Sequence, residues 1–285
     1  MTDLTDHISN EIGDKIISTR TLAGGDISQA YLISTQKQRL FLKVNTGHSS
    51  LEMFSVEKAG LQTISKTGTI ATPEIYLCGT FKDQAYLVME HIETKSPNSD
   101  DLYNFGIDLA SLHRTQGSDF GFKCDNFIGS LPQRNRKHDN WIDFYIEERL
   151  LPQFKMSRSK ALLSPPDVPG EDRLMKTCSN LFGDIKPSLL HGDLWNGNYL
   201  IAKNGTAFLI DPAVYYGHHE VDIAMTKLFG GFGTGFYNSY HEQLPKSEGF
   251  EERMQIYQLY YLLVHLNLFG SSYYPSVKRI LSRFF

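Results

Sequence analysis

Apolar residues recur in the first third of the chain as short runs, separated by polar residues, glycine and proline. Such runs are typical of β-strands, and we predict strands at residues 16–21, 29–34, 40–44, 75–79 and 85–89. A stretch with helical spacing, which contains Phe54, Leu61 and Ile64, separates the third strand from the fourth. This part is expected to form a small, largely antiparallel sheet with one main helix.

The spacing of apolar residues is helical in most of the remaining chain. Residues 102–112, 141–151 and 250–268 each carry apolar positions three or four apart. Two short strands, at 199–202 and 207–210, lie between these helices, and the Asn-Gly pair that joins them suits a tight hairpin. The second part is therefore expected to be mostly helical.

This change of period predicts an α+β protein with two lobes. Residues 1–91 would form the small lobe, and residues 92–285 the larger, helical one. A cleft between two lobes is a favoured place for a ligand. The chemistry is therefore expected where the lobes meet.

Composition and charge exclude several function classes. The 285 residues include 28 Lys+Arg and 32 Asp+Glu, so the net charge of −4 lacks the cationic surplus of a nucleic-acid-binding protein. The longest apolar stretch, 260–269, is interrupted by polar residues and is shorter than the ~20 residues of a membrane span. An acidic N-terminus and three cysteines without paired spacing favour a cytoplasmic protein.

A loop with the pattern H-x-D-x-x-x-x-N is the strongest chemical signal. It runs from His191 to Asn198 and contains Asp193. In kinases the Asp of this pattern accepts the proton of the acceptor hydroxyl, and the Asn holds Mg²⁺. Asp211, at the end of the following hairpin, is placed to bridge Mg²⁺ to phosphates. Taken singly, the loop is also compatible with a polar turn, and Asp211 with a turn cap.

A lysine and a glutamate of the small lobe are expected to pair. Strand alternation points Lys43 away from one apolar face, and Glu57 falls on the buried stripe of the predicted helix. An unpaired buried carboxylate is costly, so Lys43 is its expected partner, although this strand alone also fits a solvated lysine. Such a pair positions nucleotide phosphates in kinases.

Two further segments suit a nucleotide. The turn at 22–31 contains two glycines, which permit close approach of phosphates, although such a turn is also common in hairpins. The strand at 86–89 continues into a connection whose backbone, at 90–92, suits adenine, although an ordinary core strand that leads into a linker fits this segment equally well. The expected nucleotide-binding residues are Gly24, Gly25, Ser28, Lys43, Glu57, Met89, Glu90, His91 and Ile92.

The order of these elements along the chain is that of a protein-kinase-like fold that uses ATP and Mg²⁺. Protein kinases themselves carry Phe-Gly after the metal-binding Asp and an A-P-E sequence further on. Here Pro212 and Ala213 follow Asp211, and no A-P-E is present. The acceptor is therefore expected to be small, or a small group on something larger.

Several segments resemble the fructosamine-3-kinase and ketosamine-3-kinase family, from about residue 15 to the C-terminus. The more specific ones are 189–198 (LLHGDLWNGN), 210–220 (IDPAVYYGHHE) and 225–232 (MTKLFGGF). Weaker matches are 24–28 (GGDIS), 41–45 (FLKVN), 88–91 (VMEH) and 120–122 (FGF). The H-G-D motif alone also suits aminoglycoside phosphotransferases and choline kinases.

The resemblance implies ATP-dependent phosphorylation of the 3-hydroxyl of a ketosamine, free or as a glycated lysine on a protein. The product decomposes and releases the amine, which amounts to deglycation. Asp193 would be the base, and Asn198 and Asp211 the Mg²⁺ ligands. Acceptor contacts would come from Trp195, Tyr215 and His219. Some relatives carry a cysteine in the glycine turn that links two subunits; this chain has none there, so a monomer is expected.

Two other functions remain open from the sequence. One is a kinase for another small hydroxyl compound, such as an aminoglycoside, choline or a free sugar. The other, a non-catalytic nucleotide-binding module, is disfavoured because the expected catalytic residues are all present. Zinc binding at His218, His219 and Glu220 is not expected, since neighbouring side chains point apart, and Asp222 is expected to support the catalytic loop.

Overall fold

The small lobe is built on a five-stranded antiparallel sheet with one helix on each side. The structure, a computed structural model, describes residues 2–22 and 28–285. The strand order is β1-β2-β3-β5-β4. The elements are α1 (Thr2–Ile12), β1 (Ile16–Leu22), β2 (Gln29–Thr35), β3 (Arg39–Asn45), α2 (Ser50–Ser65), β4 (Ile75–Phe81) and β5 (Gln84–Glu90). The five predicted strands are confirmed, each within two residues of its expected ends.

Alternation along β3 explains how the sheet presents a lysine. Leu40, Leu42 and Val44 are buried in the core between the sheet and α1. Lys43 points to the opposite face, where α2 lies, and its backbone pairs with Ala30 of β2. The sequence therefore sets the face on which Lys43 stands.

Helix α1 is not predicted by the sequence analysis. Its buried residues Leu4 and Ile8 lie one turn apart and pack against the sheet. The His7 ring stacks on Phe81 at 4.6 Å, and its Nε2 hydrogen-bonds the hydroxyl of Tyr86 at 3.1 Å. These tertiary contacts stabilise helix α1, whose apolar pattern in the sequence is short.

The described part of the large lobe consists of helices with three short antiparallel strand pairs between them. These pairs are β6–β7, β9–β10 and β8–β11. The helices are α3 (Ser99–His113), α4 (Trp141–Phe144), α5 (Leu151–Ser159), α6 (Glu171–Leu181), α7 (Glu220–Leu228), α8 (Thr234–Gln243), α9 (Phe250–Phe269) and α10 (Tyr274–Phe284). The strands are β6 (Asn126–Ile128), β7 (Leu131–Gln133), β8 (Ser188–Leu190), β9 (Tyr199–Ile201), β10 (Ala207–Leu209) and β11 (Tyr215–Gly217).

The helix predicted at 141–151 differs from the structure in its middle and in its end. It passes through a π-helical turn, Tyr145–Leu150, and continues as α5 to Ser159. The wider turn brings the consecutive residues Glu148 and Arg149 both into the interior, at 2% and 0% exposure. An α-helical periodicity cannot predict two adjacent inward-facing charges.

Buried aromatic residues of α9 form the centre of the large lobe. Tyr257, Tyr260 and Tyr261 are at most 1% exposed and lie in the main core cluster. The cysteines Cys78, Cys124 and Cys178 are free thiols. Among the helices that the structure describes, none has both the length and the apolar character needed to cross a membrane.

The two lobes meet along the connection after β5. Lys203 donates its backbone N–H to Glu93 O at 3.0 Å, and Leu209 donates to Ala71 O at 2.9 Å. Helix α2 approaches the other side of the junction, since a Cβ on Gly60 would lie 3.1 Å from the side chain of Pro212. These contacts bring Lys43, Glu57 and Asp211 to one place.

Candidate active site

The loop after β8 is fixed through the imidazole of His191. His191 Nε2 donates to Ile210 O at 2.9 Å, and Asp193 donates its backbone N–H to His191 Nδ1 at 3.2 Å. A neutral ring protonated on Nε2 makes both bonds. Burial, which lowers the pKa of His191, favours that neutral form. The ring thereby ties the backbone of Asp193 to the chain just before Asp211.

Asp222, at the start of α7, holds the backbone of the same loop, as the sequence analysis predicts. Its carboxylate accepts the backbone N–H groups of His191 at 2.7 Å and Gly192 at 2.9 Å. The Nε2 of the buried His113 lies 3.0 Å from it. Gly192 has φ +85°, and a Cβ there would lie 2.1 Å from Ala213 O. Only glycine fits this close crossing of the two chain segments.

Asn198 lies beside Asp193. Its Nδ2 donates to Asp193 O at 2.8 Å and reaches Asp193 Oδ2 at 3.3 Å. Its backbone carbonyl accepts the N–H of Ile210 at 3.1 Å. The spacing in the motif therefore folds the amide back onto the carboxylate, and Oδ1 of Asn198 is the oxygen that remains as an acceptor.

Lys43 of β3, Glu57 of α2 and Asp211 form a cluster with one cation and two carboxylates. Lys43 Nζ lies 2.7 Å from Glu57 Oε1 and also contacts Asp211 Oδ1. The predicted pairing of Lys43 with Glu57 is confirmed. Burial opposes ionisation of Lys43, but the two carboxylates outweigh it and raise its pKa. Burial alone would raise the pKa of Asp211, yet Lys43 holds it below its usual value.

Among the residues that the structure describes, no cation pairs with the Asp193 carboxylate, and its pKa differs accordingly. Burial, together with the charges of Asp211 and Asp222, raises the pKa of Asp193 to about 7. A carboxyl with this pKa is a stronger base than an ordinary aspartate once it is ionised. The site therefore combines a base, Asp193, whose pKa is close to neutral pH, with a lysine, Lys43, that pairs with the Asp211 carboxylate.

The raised pKa of Asp193 predicts a pH dependence. Below about pH 7 Asp193 carries a proton in the folded enzyme and cannot accept another. We expect kcat/KM to rise with pH through about 7 and to level off above it. The profile of kcat/KM between about pH 5 and 9 measures this. A profile that stays flat down to about pH 5 would mean that the base has an ordinary carboxyl pKa.

The donor set fits Mg²⁺. Asp211 and Asn198 offer carboxylate and amide oxygens, which are the ligands that this ion prefers. Burial is the main cause of the raised pKa of Asp193, and the negative charges of Asp211 and Asp222 add to it. A divalent cation at Asp211 would use these oxygens as ligands and would offset the negative charge of the site.

The expected nucleotide-binding residues are only partly placed. Gly24 and Gly25 lie outside the described residues. Ser28 Oγ accepts Asn45 Nδ2 at 3.4 Å. The Met89 side chain is 3% exposed and packs in a small cluster with Phe54, and its backbone pairs with Phe41 of β3 and Ile75 of β4. The role of Met89 in nucleotide binding stays a prediction.

The connection between the lobes bears on the expected adenine site. The backbone N–H of Glu90 donates to Glu74 O at 2.8 Å, so this group is already engaged, and the role of Glu90 as an adenine contact stays a prediction. Among the described residues, the backbone groups of His91 and Ile92 make no backbone hydrogen bond. Their role as the adenine contact remains a prediction.

The three expected acceptor contacts differ in exposure. Trp195 is 40% exposed on the catalytic loop, and its ring covers Gly197, where a Cβ would lie 2.5 Å from the ring. His219 is half-buried, and its Nδ1 hydrogen-bonds the hydroxyl of Tyr240 at 2.9 Å. The roles of Trp195 and His219 remain predictions.

Tyr215 was expected to contact the acceptor, and this expectation is wrong. Its side chain is 0% exposed, and the guanidinium of Arg149 lies 3.9 Å from its ring centre. Phe144 stacks on the ring at 5.6 Å. The side chain lies in the core beneath the loop because pairing of β11 with β8 directs it inward.

A substitution tests this correction. The Tyr215 hydroxyl is buried without a hydrogen-bond partner among the described residues. Tyr215→Phe removes only that hydroxyl, so we expect the KM for the acceptor to stay within about twofold and the melting temperature not to fall. Steady-state kinetics and a thermal melt measure both. A rise in acceptor KM at unchanged melting temperature would restore Tyr215 as a contact.

The ligand atoms of His218, His219 and Glu220 lie within 4.8 Å of one another, so the expectation that they point apart is wrong. Arg253 already holds the Glu220 carboxylate with two bonds of 2.7 Å. The hydroxyl of Tyr257 lies 2.7 Å from His218 Nδ1. A metal ion at this cluster would face the guanidinium of Arg253.

Sequence reasoning missed several groups that hold the site. The hydroxyl of Tyr261 donates to Gly192 O at 2.8 Å, although the helical pattern marks this tyrosine only as core. Asn126 and Gln133, on β6 and β7, bond the carbonyls that follow Asp211. No motif identifies these residues, because their partners are backbone atoms distant in sequence.

The chain matches a known protein family over its whole length. The family model described as fructosamine kinase matches residues 1–285. Mouse ketosamine-3-kinase is 34% identical over 96% of this chain and 97% of its own length. A chloroplastic protein-ribulosamine 3-kinase of Arabidopsis thaliana is 37% identical over 94% of this chain and 82% of its own length.

Solved structures agree on the architecture. A candidate fructosamine-3-kinase of Haemophilus somnus superposes with a TM-score of 0.88 at 29% identity, over 99% of this chain and 96% of that one. An aminoglycoside phosphotransferase in complex with AMP-PNP and hygromycin B gives a TM-score of 0.63 at 15% identity, over 99% and 98% of the two chains. The second likeness shows the shared kinase-like α+β fold.

Proposed function

The chain belongs to the fructosamine kinase family, and from this premise we propose that it transfers the γ-phosphoryl group of ATP to the 3-hydroxyl of a ketosamine. The observation that carries the proposal is the position of a half-buried base, Asp193, near the cluster of Lys43, Glu57 and Asp211 at the junction of the lobes. The adduct of a sugar with a lysine is the substrate class. Decomposition of the phosphorylated adduct would release the amine.

Asp193 accepts the proton of the attacking hydroxyl. Its pKa of about 7 lets it be ionised at neutral pH and still hold a proton well. Asn198 orients the carboxylate through its Nδ2, and Asp222 fixes the loop backbone. The hydroxyl is thereby held in one geometry relative to the phosphoryl donor.

Lys43 binds the phosphates of the nucleotide, with Glu57 holding the lysine in place. Asn198 and Asp211 would hold Mg²⁺. When bound, the ion neutralises charge on the β- and γ-phosphates. The contact of Lys43 with Asp211 keeps that carboxylate ionised and ready for a cation.

The segment after Asp211 supports a small acceptor. Protein kinases carry a long activation segment at this place. Here the chain passes directly into β11, which pairs with β8, and reaches α7 at Glu220. Between Asp211 and Glu220 no long segment is present to dock a peptide. The exposed ring of Trp195 would pack against the sugar of the acceptor.

Release of ADP from ATP with a panel of acceptors tests the proposal. The panel comprises ribulose-lysine, fructose-lysine, a free ketose, an aminoglycoside and choline, each with and without Mg²⁺. We expect Mg²⁺-dependent turnover with the two lysine adducts only. Turnover confined to the free ketose, the aminoglycoside or choline would overturn the substrate assignment and leave a kinase of another small hydroxyl compound.

A further inference from the structure

The hairpin β6–β7 hydrogen-bonds the segment that follows Asp211. Resting on the proposed function, we propose that Asn126 and Gln133 of this hairpin are positioning residues that hold Asp211 in place for Mg²⁺. Neither residue touches nucleotide or acceptor in this scheme. Both act through the backbone of Ala213 and Val214.

The two side-chain amides bond consecutive carbonyls. Gln133 Nε2 donates to Ala213 O at 3.2 Å, and Asn126 Nδ2 donates to Val214 O at 2.9 Å. Gln133 Nε2 also donates to Asn126 Oδ1 at 2.8 Å, which joins the two amides. A single polar layer thereby spans the hairpin and the Asp211 segment.

A tyrosine fixes the orientation of this layer. The hydroxyl of Tyr260 on α9 donates to Gln133 Oε1 at 2.5 Å, so the oxygen of that amide is engaged and its nitrogen faces Ala213. Asn126 is 6% exposed, and Gln133 and Ala213 are each 2% exposed. Because these amides are buried, water cannot replace a hydrogen bond that they lose. Only one arrangement of the two amides therefore satisfies all their hydrogen bonds.

The backbone of Asp211 needs such support. Asp211 has φ +54°, in the left-handed region that residues other than glycine rarely adopt. A conformation of this kind persists only where the surroundings enforce it. Ala213 is also held by the catalytic loop, because its N–H donates to His191 O at 2.9 Å.

A third contact comes from α2. Gly60 packs against Pro212 and Val214, whose side chains would lie 3.1 Å from a Cβ at that position. The segment is thus held by the catalytic loop, by α2 and by the hairpin. The hairpin is the contact that supplies hydrogen bonds to its carbonyls from buried amides.

The alternative is that the hairpin layer contributes only to stability. The large lobe offers a matched control for this alternative in a second buried amide, Gln153 of α5, which is 3% exposed. Its Oε1 accepts Asn267 Nδ2 of α9 at 2.8 Å. A Gln-to-Leu change at 133 or at 153 removes the same group from a buried network. Only the first network touches the Asp211 segment.

The experiment measures Mn²⁺ binding by electron paramagnetic resonance, with saturating AMP-PNP and no acceptor, in the full chain. We expect Gln133→Leu to raise the Kd for Mn²⁺ about fivefold, which corresponds to the loss of one hydrogen bond, the bond from Gln133 to Ala213 O in the Asp211 segment. Gln153→Leu should leave the Kd for Mn²⁺ unchanged. It should lower the melting temperature by about as much as Gln133→Leu does. Asn126→Ala, which keeps the bond from Tyr260 to Gln133, gives a second and milder test of the same effect.

A second readout needs no metal. Hydrogen exchange of the backbone amides of Asp211, Ala213 and Val214, without nucleotide, should be faster in Gln133→Leu than in Gln153→Leu. Equal Mn²⁺ affinity in Gln133→Leu and wild type, or equal weakening by Gln153→Leu, would overturn the role of the hairpin. Asp211→Asn is the reference variant. If it leaves the Mn²⁺ Kd unchanged, the proposed metal site is wrong, and the inference falls with it.

Discussion

Replacing Asp193 with Asn lowers kcat by about 10²- to 10⁴-fold while the affinity for ATP is retained, if Asp193 is the base. Asn keeps the size and the neighbours of Asp193 but cannot accept a proton. The side chain lies beside Asn198 and contacts neither Lys43 nor Glu57, so nucleotide binding should be unaffected. Steady-state kinetics and a nucleotide-binding titration measure the two quantities.

The control for this variant is Asp83→Asn. Asp83 is an exposed aspartate in the turn between β4 and β5, and its substitution should leave both quantities unchanged. If Asp193→Asn turns over at the wild-type rate, another group is the base. If it loses ATP affinity together with kcat, Asp193 acts in nucleotide binding.

Lys43→Met raises the KM for ATP by at least about tenfold and lowers kcat as well. The substitution removes the cation of a buried cluster and leaves Glu57 and Asp211 facing each other without compensation. The two carboxylates then repel the phosphates that Lys43 would attract. Initial rates across a range of ATP concentrations at fixed acceptor measure the effect.

Lys66→Met is the matched control, because Lys66 is an exposed lysine at the end of α2. It should leave the nucleotide kinetics unaltered. Glu57→Gln provides a further check: if Glu57 acts by holding Lys43, adding Glu57→Gln to Lys43→Met should cost little beyond Lys43→Met alone. Additive effects of the two changes would mean that they act independently.

Local patterns predict the small lobe and part of the site. The strands are recoverable from alternation because one face of the sheet is buried against α1, which places leucine or valine at every second position of β3. The pairing of Lys43 with Glu57 is recoverable because a carboxylate on a buried helical stripe requires a cation. Asp193, Asn198 and Asp211 are recoverable because their spacing repeats that of kinases.

The remainder depends on contacts that the sequence does not encode locally. A three-residue strand such as β11 has no alternation long enough to show that Tyr215 faces the core. The π-helical turn buries Glu148 and Arg149 side by side, against the helical period. Asn126 and Gln133 bond backbone atoms some eighty residues later in the chain, so no spacing rule identifies them.

The most direct test of the central claim is the position of the phosphate in the product. Wild-type enzyme, ATP and Mg²⁺ are incubated with ribulose-lysine, and the product is followed by phosphorus and carbon NMR, with Asp193→Asn as the blank. We expect one phosphomonoester on the sugar 3-hydroxyl. It should form in an amount equal to that of ADP, and release of lysine should follow. ADP without a phosphorylated adduct, or a phosphate on any other hydroxyl, would contradict it.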